Sequence, residues 1–247
     1  MQVKPKVTLI RYTADPEATV ALAAKLCYSD KELPELTDNI LAKDNSKFIK
    51  KLLEMGHLSP IEHASFTFSI EGVSRALLAQ ITRHRIASFS VRSQRYVSEN
   101  SFNYVVPPSI EALGGAAVAR FIGQMDTIMD WYSDWQSALG HGEKSNEDAR
   151  FVLPNACETK MLVTMNAREL RHFFSLRCCN RAQWEIREVA WLMLGEALKV
   201  APTLFGDCGP GCLRGACPEG EKACGKADEV KKRHAALVSK VKKDDKA

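Results

Sequence analysis

The densest group of residues able to do chemistry runs from Gln80 to Tyr96. Within it stand Arg83, Arg85, Arg92 and Arg95, the imidazole of His84 and the hydroxyls of Ser88, Ser90 and Ser93, with almost no carboxylate to neutralise them. Guanidinium forks and hydroxyls are the donors that suit phosphate oxygens, so the segment is expected to hold something carrying phosphate. Residue types alone leave two other readings equally open: a solvated basic loop, and a nucleic-acid patch in which arginine works beside Tyr96 or Phe89.

A second chemical feature is the run of thiols Cys208, Cys212, Cys217 and Cys224 in a Gly/Pro-rich stretch. Four thiolates suit a tetrahedral zinc ion or an iron-sulfur centre, but gaps of three, four and six residues are not paired C-x-x-C knuckles. Reduced thiols folded onto the main domain are the expectation, with no metal assigned. Cys27, Cys157, Cys178 and Cys179 sit among apolar neighbours and read as small buried hydrophobes. A chain with eight cysteines and no export signal is expected to be cytoplasmic, with no membrane span and no disulfide framework.

The elements that must position these groups follow from periodicity. Alternation predicts strands over 7–12, 66–70, 102–106 and 161–165. Apolar spacing predicts helices over 16–26, 39–55, 73–82, 118–139, 146–153, 167–177 and 183–200. Residues 83–96 read as a loop or irregular turn. The aromatic stripe on 118–139 reads as core or subunit interface. At 247 residues, 45% of them hydrophobic and 26% charged, the chain affords one main α+β domain over 1–205. Its mixed sheet packs with long helices, and residues 206–247 form a Cys/Gly-rich loop and a basic, partly helical, solvated tail. No Gly-x-Gly-x-x-Gly follows a strand, which disfavours a Rossmann domain.

Arg83-His84-Arg85, then seven residues from Ile86 to Arg92, then Ser93, resembles the R-H-R-(seven)-S signature of flavin-dependent thymidylate synthases. Further stretches agree in the same order: His57-x-Ser59-Pro-x-Glu62-His63, Arg150-x-x-Leu-Pro154, Asn166-Ala-Arg168 and Gln183-Trp184-Glu185. The likeness covers about residues 7 to 205.

The resemblance implies that family's fold and a homotetramer with sites between subunits. It also implies FAD as cofactor, methylenetetrahydrofolate as carbon donor, NADPH or NADH as reductant, and conversion of dUMP to dTMP, with no nucleic-acid partner. Carried over by position, His57, Ser59, Glu62, Arg83, His84, Arg85, Asn166, Arg168 and His172 belong to the flavin site. Gln80, Arg83, Ser93, Gln94, Arg95, Arg150 and Arg177 belong to dUMP, with Ser93, Arg95 and Arg150 towards its phosphate. Arg177 beside the uracil ring is the catalytic candidate, favouring negative charge as C5 becomes nucleophilic. Without the resemblance Arg177 is a helix C-terminal cation, His84 a hydrogen-bonded loop histidine and His57 a helix cap. Val91 stands where many members carry glutamate, His172 where others have asparagine, and Arg181 where others have histidine. The rival readings are a nucleic-acid-binding module and a cysteine-nucleophile synthase using Cys157 or Cys179.

Overall fold

A computed structural model describes residues 1–244; the final residues of the expected tail, 245–247, lie outside it. It is an α+β protein with a four-stranded antiparallel sheet, where a mixed sheet was expected. The strands are β1 (Lys6–Tyr12), β2 (Ser65–Ser74), β3 (Ala87–Val91) and β4 (Glu158–Asn166), hydrogen-bonded in the order β1-β2-β4-β3. The helices are α1 (Pro16–Leu26), α2 (Leu33–Leu41), α3 (Ser46–Glu54), α4 (Arg75–Ile81), α5 (Pro108–Glu111), α6 (Gly115–Leu139), α7 (Glu143–Ala149), α8 (Ala167–Arg177), α9 (Trp184–Val200), α10 (Pro202–Phe205) and α11 (Ala227–Asp244).

Three local expectations are corrected. The single helix over 39–55 is two, α2 and α3, because polar side chains at the junction take over the backbone. Asn45 Nδ2 donates to the carbonyls of Ile40 and Lys43 at 2.8 and 3.0 Å, and Asp44 accepts from the Ser46 amide at 2.8 Å. Residues 83–96 are not wholly a loop: β3 lies in their middle, with Ser88 and Ser90 exposed and Phe89 and Val91 half-buried. That period of two was present in the sequence beneath the polar composition. The expected strand over 102–106 reduces to bridges from Tyr104 to Gln2 and Cys157, ending at Pro107, which has no amide to donate.

The chain forms two compact units. The first comprises Met1–Lys6, Ile70–Arg83 and Phe89–Leu162. In its core Phe102, Tyr104, Val106, Met125 and Cys157 pack together beside α6. Helix α6 divides its aromatics, burying Tyr132 while Trp131 and Trp135 stay half-exposed. Gly72 has φ +67°, and a Cβ there would lie 2.1 Å from the Lys4 carbonyl oxygen, so any side chain is excluded.

The second unit comprises Val7–Ser69, His84–Ser88 and Val163–Ala247. Phe66, Phe174 and Phe205 stack edge-to-face in its core, with centroids 5.2 and 5.9 Å apart. The expected solvated tail is instead anchored along α11. Val230 and Val241 are buried, and Arg233 pairs with Glu188 at 2.7 Å while lying 4.8 Å from the Trp191 ring.

Candidate active site

In the second unit the turn Pro60–His63 and the start of α8 are tied by the Ala167 amide, which donates to the Ala64 carbonyl at 2.8 Å. Asn166 caps α8, its Oδ1 accepting from the Glu169 amide at 2.9 Å. These constraints set Glu62, Asn166, Arg168 and His172 on the wall of one cavity of about 1340 Å³. Arg168 and Glu62 are hydrogen-bonded to each other. His57 and Ser59 are exposed and are not among the lining residues, although Gly56 and Leu58 beside them are. Arg85 is exposed next to the lining residue Ile86.

Three polar residues form a line in the same unit, His84 and Glu169 buried and Arg177 half-buried. His84 Nδ1 lies 2.9 Å from Glu169 Oε1, and Arg177 Nε donates to His84 Nε2 at 3.1 Å. The His84 ring stands edge-on to Phe173 at 4.9 Å and to His172 at 6.0 Å. Burial, and then the neighbouring Arg177 charge, hold the imidazole below its ordinary pKa; the Glu169 hydrogen bond opposes them.

The first unit holds the other residues expected at dUMP. The Ser93 hydroxyl accepts from the Arg95 amide at 3.2 Å, and Asn146 on α7 donates to the Arg95 carbonyl at 3.2 Å. Arg95 donates to Glu143 at 2.6 Å and lies 3.6 Å from Glu147, while Arg150 Nε donates to the Glu147 carbonyl at 3.1 Å. Helix α7 thus brings Arg95 and Arg150 together, 55 positions apart in the chain. Gln94 is buried and donates to Cys157 Sγ at 3.4 Å. Gln80 and Arg83 lie on α4 and just after it; Gln80 is half-buried and Arg83 exposed.

The expectation of arginines with almost no neutralising carboxylate is overturned. Arg95 meets Glu143 and Glu147, and Arg92 meets buried Glu99 at 2.7 Å. Burial pushes the Glu99 carboxyl up against the opposing pull of Arg92. Glu143 and Glu147 are remote in sequence, so no local pattern reveals them. Glu169 had a visible signal, three residues beyond the capping Asn166, but its contact with His84 spans 85 positions.

The thiols separate. Burial pushes Cys157 and Cys208 up to about 12, which removes them as thiolates near neutral pH. Cys27, expected to be buried, is exposed. Cys208 packs beside Arg171 Nη1 at 3.2 Å, whereas Cys179 joins Cys212, Cys217 and Cys224 around a cavity of about 30 Å³. Among the described residues no group of three or more His, Cys, Asp or Glu is arranged to hold a metal ion. No helix among them is long and apolar enough to cross a membrane.

The class this fold defines is an α+β protein with arginine clusters in both of its units. Residues 8–203 match the family model described as thymidylate synthase complementing protein. A flavin-dependent thymidylate synthase of Geobacter sulfurreducens is 53% identical over 229 residues, covering 92% of this chain and 97% of that one. Its counterpart in Clostridium tetani is 49% identical, covering 92% and 96%, and that of Pyrococcus abyssi 41%, covering 87% and 90%. The chain belongs to the flavin-dependent thymidylate synthase family.

Proposed function

We propose that this protein converts dUMP to dTMP by reductive methylation, with FAD as the bound flavin, methylenetetrahydrofolate as carbon donor and NADPH or NADH as reductant. The observation carrying the reading is the roomy cavity that collects Glu62, Asn166, Arg168 and His172. Its volume exceeds the roughly 300–1,000 Å³ usual for small-ligand sites and so suits a dinucleotide. Guanidinium and imidazole groups on its wall match the phosphates and ring edges such a molecule presents. When bound, the flavin supplies the electrons that complete the methyl group.

The protein's part is to bind, orient and polarise. His57, Ser59, Glu62, Arg83, Arg85, Asn166, Arg168 and His172 form the flavin set; His84, expected among them, bonds instead to Arg177 through Nε2. Gln80, Arg83, Ser93, Gln94, Arg95 and Arg150 form the dUMP set, with the arginines at the phosphate. Arg177 presents a fixed positive charge to the uracil ring as C5 acquires nucleophilic character. The exposed tryptophans at 131 and 135, one helical turn apart on α6, support the homotetramer reading because they offer an apolar patch.

The test is direct. Purified protein should show flavin absorbance bands and should form dTMP only when dUMP, methylenetetrahydrofolate and a nicotinamide reductant, NADPH or NADH, are all supplied. A colourless protein that binds polyanions in a salt-sensitive way would favour the nucleic-acid reading instead.

A further inference from the structure

The line Glu169, His84, Arg177 contains more information than three adjacent polar groups. A guanidinium N–H can only donate, so the bond from Arg177 Nε requires a lone pair on His84 Nε2. The ring proton must then sit on Nδ1, where it is donated to Glu169 Oε1 2.9 Å away. Both ring nitrogens are therefore engaged within the protein. The two side chains are well enclosed, at 5% exposure for His84 and 8% for Glu169, so water competes little for these bonds.

We propose that Glu169 is a positioning residue for the methylation step, acting through His84 to fix the tautomer that holds the Arg177 guanidinium by its Nε edge. His84 then leaves the group whose side chains contact flavin, and its place in the signature is explained by Arg177. The Arg177 side chain contains several rotatable single bonds. Anchoring it at Nε restricts rotation about them before substrate arrives, and a displacement of about 1 Å at such a group costs on the order of 100-fold in rate. This inference rests on the assignment of Arg177 to the uracil ring.

The measurement is single-turnover oxidation of prereduced flavin by methylenetetrahydrofolate and dUMP, across a pH series, with flavin content and dUMP affinity measured separately. In Glu169→Gln the amide can donate to Nδ1 as readily as accept from it, so the tautomer is no longer enforced. The rate should fall about tenfold or more while flavin content stays normal, and Glu169→Asp should recover part of the loss. The groups facing the imidazole are Glu169, Arg177 and His172. Only the neutral ring accepts from Arg177, so activity is lost as pH falls through the His84 pKa, which lies below its ordinary value. Removing the carboxylate that raises this pKa should move the acid limb to lower pH in Glu169→Gln.

A second pair separates the two nitrogens. His84→Gln places an acceptor near the former Nε2 and should keep more activity than His84→Asn, whose amide replaces Nδ1 only. A merely structural role for Glu169 predicts neither the moved acid limb nor this ordering. An unchanged rate and acid limb in Glu169→Gln overturns the proposal, as does equal loss of flavin from both His84 variants, which restores a phosphate-binding role. Should Glu169→Gln not fold, the His84 pair decides. If Arg177→Ala itself turns over normally, the uracil assignment fails and this inference falls with it. If Arg177→Ala is impaired while the Glu169 and His84 variants are normal, only this inference falls.

Discussion

Cys157 offers the sharpest way to separate the flavin reading from a cysteine-nucleophile mechanism. Burial lifts its thiol to about 12, so near pH 7 roughly one molecule in 10⁵ carries the thiolate, against about one in 30 for an ordinary thiol. The difference is more than three orders of magnitude in nucleophile concentration, in the direction opposite to activation. The side chain serves instead as an acceptor, taking a hydrogen bond at 3.4 Å from Gln94, a residue assigned to dUMP. Cys157→Ser keeps an acceptor there and should retain most of the turnover. Cys157→Ala removes the acceptor and a buried sulfur, which should cost about 1 kcal/mol of stability and weaken dUMP several-fold, with flavin content unchanged. The assays are steady-state dTMP formation, dUMP titration and denaturant unfolding on the same preparations. Complete loss of turnover in a folded, flavin-loaded Cys157→Ser protein would refute this reasoning and restore the covalent mechanism.

Arg95→Ala should weaken dUMP on the order of tenfold or more by removing a charge-assisted phosphate contact, with flavin retained. Glu143→Gln should do the reverse, because that carboxylate now competes for the same guanidinium; a dUMP titration of both variants checks the pair. Arg85→Ala should lose flavin on purification, read from the absorbance ratio, and full occupancy would remove Arg85 from the flavin set. Stability should fall as pH drops below about 6.5, the ordinary histidine value. Burial holds His84 and His234 below it in the folded state, so the unfolded chain takes up protons first. Their neutral-state contribution is complete above that pH and is lost as pH falls towards the folded values, which urea unfolding at pH 7.5, 6.5 and 5.5 will follow.

Much of this protein is legible in its residues alone. Apolar periodicity locates β1, α1, α6, α8 and α9, since such elements bury one face and repeat with a fixed spacing. The arginine, histidine and serine signature at 83–93, with the stretches around His57, Arg150, Asn166 and Gln183, points to the family, because site chemistry demands those residue types in that order. Pattern fails where local polar competition wins: at Asp44 and Asn45, which divide one expected helix, and at Ser88 and Ser90, whose polarity hides a strand.

Charge balance and proton placement belong to tertiary structure. Glu143 and Glu147 reach Arg95 from about 50 positions away, and Glu169 reaches His84 from 85, so their fields have no trace in local composition. The regrouping of Cys179 with three loop thiols, and the burial that lifts Cys157, likewise depend on which surfaces meet. Sequence determines which donors and acceptors exist and the period with which they repeat. Folding alone decides which of them are dry, which are paired, and so which nitrogen of His84 carries its proton.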